Sequence, residues 1–344
     1  MKLGILGGGQ LGMMMCQEAK DLKISTFIFT DTEDSPATKF SDEHLIAQYD
    51  DFEKLEIFIQ ACDVITYEFE NIPYKTLDHI FKEKPVYPDP QINNIIQDRL
   101  SEKKFINELN IPTVPYLKIE DSKQLLLVEE KFYPAILKTR RLGYDGKGQT
   151  VINSPKEDIY IEKNDYILEK RIELKTEISV ITVRYQDNSL FSYKPIENIH
   201  KDQILYSSTS PASISYELQT KAIKWSQEIV ETLNYIGVIC IEFFVDEYDN
   251  LFVNEIAPRV HNSGHLTIES YNVSQFQSHL RAVCDLSPIG PELKSKAQML
   301  NLLGEDIYRY RDQTKIEKDL YFHDYFKKEA KKGRKMGHVT KILA

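Results

Sequence analysis

Cysteine is scarce: four residues in 344, at Cys16, Cys62, Cys240 and Cys284. No two form a CxxC pair, which removes the usual zinc-ligand spacings. They stand far apart, mostly in apolar segments, and read as reduced core residues of a cytoplasmic protein. An excess of positive charge is also missing. Lys and Arg number 43 against 53 Asp and Glu, a formal net charge of -10. Phosphate polyanions are repelled by that balance, which argues against non-specific binding of nucleic acid or of a membrane surface. A small phosphorylated substrate held by a local basic cluster is still allowed. There is no apolar run long enough to span a bilayer, no N-terminal leader pattern and no internal repeat. The length suffices for two or three domains with a substantial core.

The chain opens on Lys2-Leu3-Gly4-Ile5-Leu6, a short buried strand. Gly7-Gly8-Gly9-Gln10-Leu11-Gly12 follows, then a helix over 13–20 and a strand over 25–29 ending in Thr30-Asp31. This is a βαβ opening with a GxGxxG-like turn, whose backbone N–H groups face an anion at a helix N-terminus. Alone, it fits a dinucleotide site or a Rossmann-like fold with its loop put to another use. Asp50 or Asp51 caps the next helix, and 64–67 is a further parallel-type strand. Residues 91–110 read as helical, 121–131 as a helix and 134–138 as a strand. A strand over 167–172, strands over 178–185 and 190–195, and a long helix over 215–234 complete the middle of the chain. The segments 237–245 and 251–256 form a hairpin, and a helix over 274–285 follows.

Four features carry chemistry. The first is Gly143-Tyr144-Asp145-Gly146-Lys147-Gly148-Gln149, preceded by Lys138, Arg140 and Arg141. A cationic, glycine-rich loop after a strand lysine can close over a polyphosphate; it lacks the GxxxxGK(S/T) spacing, and a solvated basic turn is the bland alternative. The second is the hairpin. If Val245 pairs with Phe252, Glu242 lies opposite Glu255, and two such carboxylates invite magnesium; a slip of one residue separates them. Third, the run Asn254-Glu255-Ile256-Ala257-Pro258-Arg259-Val260-His261-Asn262-Ser263-Gly264-His265 ends a strand in a polar loop, a common way to build a site. Fourth, Lys327, Lys328, Lys331, Lys332, Arg334 and Lys335 form a basic run interrupted by turn glycines. It is either a solvated helix end or a phosphomonoester site.

Taken together these motifs, with Gly333-Arg334-Lys335-Met336-Gly337-His338, resemble the ATP-grasp superfamily and, within it, the 5-(carboxyamino)imidazole ribonucleotide synthases. The resemblance spans the chain, although the chain ends soon after His338, short of the length it implies. It implies a fold of α/β and α+β character. An N-terminal Rossmann-like domain would cover 1–98 and an ATP-grasp domain 99–288, with a lid subdomain near 113–172. A small C-terminal module would cover 289–344. It also implies a homodimer and an ATP-, magnesium- and bicarbonate-dependent ligase acting on aminoimidazole ribonucleotide through carboxyphosphate. The implied ATP contacts are Arg99, Lys138, the lid 143–149, the adenine hinge Glu169, Lys170, Arg171 and Ile172, and then Glu177, His200, Asn254 and Glu255. Glu242 and Glu255 would hold magnesium. Glu70 (rather than Glu68), Tyr144, Lys147, Arg259, His261 and Asn262 would form the bicarbonate pocket. Gln10, Asp145, Lys328, Arg334 and Lys335 would face the ribonucleotide, with Asp145 on its amine. The first glycine turn then lies against the ribonucleotide. Another ATP-grasp ligase or carboxylase is the nearest alternative. A nicotinamide-dependent reductase leaves the second glycine loop and the carboxylate pair unexplained, and a non-catalytic nucleotide binder leaves the phosphate and metal residues without work.

Overall fold

Alternation decides the first sheet. Leu3 and Ile5 face one side and Gly4 and Leu6 the other, as period-2 side chains must. Strands β1 (Lys2–Leu6), β2 (Ser25–Thr30), β3 (Glu43–Ile46), β4 (Val64–Tyr67) and β5 (Val86–Tyr87) are parallel, in the order β3-β2-β1-β4-β5. On one face Leu6, Phe27 and Phe29 pack on Leu55 and Phe58 of the helix Phe52–Ala61. On the other, Leu3, Ile5 and Ile28 meet Met13 and Met14 of the helix Gln10–Asp21, and Phe276 and Leu280 of the helix Gln275–Val283. One cover of this sheet is therefore supplied by a segment far along the chain. The structure, a computed structural model, describes residues 1–143, 148–155, 161, 165–311 and 318–343.

A second sheet is antiparallel, β6 (Tyr116–Ile119), β7 (Ala135–Thr139), β8 (Gln149–Ile152) and β9 (Tyr166–Lys170), in the order β6-β9-β7-β8. Its small core is Ile119, Leu125, Ala135, Leu137, Ile152, Ile161 and Leu168. The third sheet holds β10 (Leu174–Arg184), β11 (Leu190–Ser192), β12 (Ile196–Lys201), β13 (Ile204–Ser210), β14 (Gly237–Asp246), β15 (Leu251–Ala257), β16 (Ala297–Leu303), β17 (Leu320–Asp324) and β18 (Lys335–Ile342). Its path is β15-β14-β10-β12-β13-β16-β18-β17, with β11 on β10. The C-terminal strands thus extend the same sheet that carries the carboxylate hairpin. All four cysteines are buried and unpaired. Among the described residues no helix is long and apolar enough to cross a membrane.

Several expected boundaries move. The first helix starts at Gln10, not 13. The single helix expected over 91–110 is two, Pro90–Ile96 and Arg99–Glu108. Asp98 divides them: its carboxylate accepts from the N–H groups of Leu100 and Ser101, which makes it the cap of a new helix. The helix expected over 121–131 shortens to Ser122–Leu126 and a 3-10 turn.

Candidate active site

The hairpin register reverses one premise and keeps its consequence. Val245 pairs with Leu251, not Phe252, and Phe243 with Val253. Continued unbroken, that register would set Glu242 against Asn254. A bulge between Glu242 and Phe243 shifts it, and Glu242 faces Glu255 after all. Burial first, and then the Glu255 charge, push the Glu242 carboxyl well above its usual range. The Oδ1 of Asn254, in the same stretch, is buried without a hydrogen-bond partner among the described residues. Two facing carboxylates and an orphaned oxygen are a donor set that suits a hard cation. Among the described residues no group of three or more His, Cys, Asp or Glu is arranged to hold a metal alone. Magnesium usually takes one or two carboxylates and completes its shell with water and substrate phosphates, so the donor set fits it.

A cavity of about 1130 Å³ surrounds this pair. At one end Lys138 Nζ donates to Glu169 Oε2 at 2.7 Å, and Lys103 Nζ lies 3.2 Å from Glu169 Oε1. Burial works to raise Glu169, but Lys138 and then Lys103 outweigh it and hold its carboxyl at about 2. Lys138 is nonetheless pushed down, by burial and by the like charges of Arg99 and Lys103 against Glu169. Glu169 is shared by two lysines, while Arg99 pairs with Glu255 at 3.1 Å, so the lysine end is still short of negative charge. Glu169 thereby enters the site as the lysines' partner, and its side chain is spoken for. The N–H groups of Lys170 and Arg171 donate to the Pro115 and Pro134 carbonyls, and Lys170, Arg171 and Ile172 line the cavity. Glu177 and His200, on β10 and β12, pair at 2.9 Å on the same cavity. Gly143 and Gln149 line it as well, while Gly148 sits at φ +71° against Thr139. Tyr144, Asp145, Gly146 and Lys147 lie outside the described residues.

At the other end Arg259 holds Glu70 through Nε and, at 3.0 Å, through Nη2. Arg259 Nη1 donates to its neighbour's carbonyl, Val260 O, at 3.2 Å. Three of the five guanidinium N–H groups are so used by described residues. Burial raises Glu70, and Arg259 more than reverses it, so the pair is ionised. Glu68 goes elsewhere. It accepts from Gly9 N–H at 2.7 Å and Gly12 N–H at 3.3 Å. The anion at the first glycine turn is thus a carboxylate of the chain itself, capping the first helix. A Cβ on Gly7, at φ +106°, would stand 2.6 Å from Glu68 Cγ, and one on Gly9 2.7 Å from Glu68 Oε1. Gly7 and Gly9 make room for Glu68, which takes the Gly9 and Gly12 N–H groups, while Gly9, Gln10 and Leu11 also line the cavity.

His261 Nε2 lies 3.1 Å from Glu242 Oε1. Ser263 N–H donates to His261 Nδ1 at 3.3 Å, so Nδ1 is the acceptor and Nε2–H points at Glu242. Burial and then Arg259 hold His261 well below its usual range, in the neutral form. Asn262 and Asn301 bond each other reciprocally, at 3.1 and 2.6 Å. The amide expected on bicarbonate is thus largely committed to the C-terminal strands. His265 is fully buried, 3.4 Å from Gln275 Nε2 and beside Phe276. In the basic run Lys327 turns inward and Lys328 outward. Lys327 Nζ donates to Gln10 Oε1 at 2.9 Å, and burial and then Arg334 lower it to about 8. Lys328 is exposed, with its backbone N–H on Asp34, and Arg334 reaches the same Asp34 at 3.3 Å. Lys335 and Gln10 line the cavity. Lys103 and Glu102 were not singled out by the motifs. The two had one signal, their spacing of i+4 and i+3 from Arg99 on a helix.

Two facing carboxylates, a buried lysine cluster and the flanks of the second glycine-rich loop, Gly143 and Gln149, around one cavity define a nucleotide-dependent ligase site of ATP-grasp type. The chain matches the ATP-grasp domain over residues 104–276. It also matches the ribonucleotide synthetase preATP-grasp domain over 1–97 and the phosphoribosylaminoimidazole carboxylase C-terminal domain over 297–344. A Brucella melitensis N5-carboxyaminoimidazole ribonucleotide synthase is 40% identical over 347 residues, 99% of this chain and 96% of the relative. The structure of the Staphylococcus aureus N5-carboxyaminoimidazole synthetase complexed with ADP aligns with TM-score 0.91 and 36% identity, over 99% and 93% of the two chains. The Aspergillus clavatus synthase in complex with ADP and 5-aminoimidazole ribonucleotide aligns with TM-score 0.91 and 31% identity, over 99% and 93%. The chain belongs to the N5-carboxyaminoimidazole ribonucleotide synthase family, ATP-dependent ligases of the ATP-grasp type.

Proposed function

We propose that the chain joins carbon dioxide, generated from bicarbonate with ATP, to the amine of 5-aminoimidazole ribonucleotide, giving the N5-carboxy product, ADP and phosphate. The observation that carries this reading is one cavity holding an anion-poor lysine cluster, a facing carboxylate pair and an arginine–carboxylate pair in sequence. Lys138 and Arg99, which line the cavity, accept the ATP phosphates, because Glu169 is shared between two buried lysines and leaves positive charge unbalanced. Lys170, Arg171 and Ile172 flank adenine, and Glu177 takes the ribose hydroxyls. Glu242 and Glu255 would hold magnesium, which supplies positive charge to the phosphates there. The remaining N–H groups of Arg259 orient bicarbonate, with a planar fork that a lysine does not offer. Neutral His261 directs its Nε2–H to Glu242 and so holds that carboxylate in place beside the bicarbonate. Bicarbonate attacks the γ-phosphorus, ADP leaves, and carboxyphosphate then yields carbon dioxide and phosphate beside the amine. Carboxyphosphate is labile, so the loop 143–149 closes before it forms, and Asp145 receives the amine proton. Gln10, Lys327, Lys335 and Arg334 face the ribonucleotide phosphate.

Cytoplasmic location, a homodimer, and a division at 1–98, 99–288 and 289–344 belong to the same reading. Four buried unpaired thiols accord with a reducing compartment. The deciding assay is ADP release from ATP with magnesium and bicarbonate, with and without aminoimidazole ribonucleotide. Dependence on the ribonucleotide is expected, and absence of any stimulation overturns the reading.

A further inference from the structure

β15 is an edge strand of the large sheet, so its outer peptide groups have no neighbouring strand. The bulge makes the stretch around Glu255 irregular as well. Three bonds take the place of a neighbour. Val253 N–H donates to Pro112 O at 2.9 Å. Ile256 N–H donates to Glu102 Oε1 at 2.7 Å, and Asn254 O accepts from Lys103 Nζ at 3.4 Å. Glu102 and Lys103 are 2% and 1% exposed, on the helix that also carries Arg99. Arg99 Nη1 in turn donates to Glu255 Oε2 at 3.1 Å. Positions i, i+3 and i+4 share a helix face. That single face therefore grips Glu255 by its carboxylate and by the peptide groups before and after it. Burying an ionisable side chain is expensive unless its partners are well placed, and Pro112 shows that a plain carbonyl can serve this edge. A one-residue slip here would present Asn254 instead of Glu255 to Glu242.

We propose that Glu102 and Lys103 are positioning residues: they hold the bulged register that sets Glu255 opposite Glu242, and so build the divalent-cation site on the nucleotide. The inference rests on the magnesium reading above and adds the device that maintains it. Side-chain removal at either position lets the strand relax toward the unbulged register, and the two carboxylates separate.

The test is calorimetric titration of ADP into the full chain, without metal and with magnesium, together with manganese titration followed by electron paramagnetic resonance. The readout is the factor by which metal tightens ADP. Glu102→Leu and Lys103→Met are expected to reduce that factor at least tenfold, with parallel loss of bound manganese signal. Glu102→Gln retains an acceptor oxygen for Ile256 N–H and is expected to keep it within about threefold of wild type. If Glu102→Leu fails to fold, as judged by circular dichroism, Lys103→Met carries the comparison. Wild-type metal factors in the folded variants overturn the proposal, as does a loss in Glu102→Gln equal to that in Glu102→Leu. Glu255→Gln separates the two levels. If it too keeps the full factor, the magnesium assignment falls and this inference with it. If it alone loses the factor, only the positioning role falls.

Discussion

Removing the carboxylate of Glu169 tests the charge arrangement at the phosphate end. In Glu169→Gln, Lys138 and Lys103 lose their shared counter-ion while both stay buried. Breaking a buried pair from one side costs about 3–5 kcal/mol, because a charge is left uncompensated. The depressed Glu169 carboxyl, held down by the same lysines, gives a figure of the same order. It sits at about 2 in the folded protein, against roughly 4.3 in an unfolded chain. The difference corresponds to about 3 kcal/mol. The folded value is the lower one, so this stabilisation is fully present above the unfolded value and is lost as pH falls through the folded value. Roughly 2 kcal/mol of it should remain at pH 3.5. Urea unfolding of wild type and Glu169→Gln between pH 7 and 3.5 checks this. The gap between them should be about 3 kcal/mol at pH 7 and narrow with acid. ADP should stabilise the variant, since its phosphates supply the missing negative charge. A gap under about 1 kcal/mol at pH 7, or one that does not narrow, refutes the arrangement.

Gly7→Ala should lower the thermal midpoint sharply, because its Cβ meets Glu68 Cγ at 2.6 Å and φ is +106°; a melt within a degree of wild type would show that Glu68 can yield. Lys327→Ala should raise KM for the ribonucleotide at least tenfold while Lys328→Ala changes it less than twofold, since only Lys327 turns inward to Gln10; initial-rate kinetics with the order reversed would sink that choice. Asp145→Asn should lose carboxylation yet keep part of its ATP hydrolysis, measured as product against ADP; equal loss of both counts against a role confined to the second step.

Local pattern made much of the molecule legible. Period-2 alternation marked the strands, and Pro and Gly marked the breaks. The glycine-rich loop and the polar loop after β15 carried the chemistry and the family in consecutive residues, which is why a single sequence sufficed for them. What failed was local only in appearance. The helix expected over 91–110 broke at Asp98 because that carboxylate also pairs with Arg140 across the fold. The first glycine turn looked like a ligand's cradle because Glu68, 59 residues from Gly9, is the anion it holds.

The sequence by itself determined the parallel opening sheet, the hairpin with its two glutamates and the family to which the chain belongs. Tertiary structure alone decided which residues meet. Glu70 reaches Arg259 across 189 residues, and helix residues 99, 102 and 103 reach the strand around Glu255 across more than 150. Most of all it decided the hairpin register, where a bulge of one residue sets Glu255 rather than Asn254 against Glu242. Strand periodicity says which residues share a face, but a bulge is set by what packs along the strand's outer edge, and that neighbour is distant in sequence.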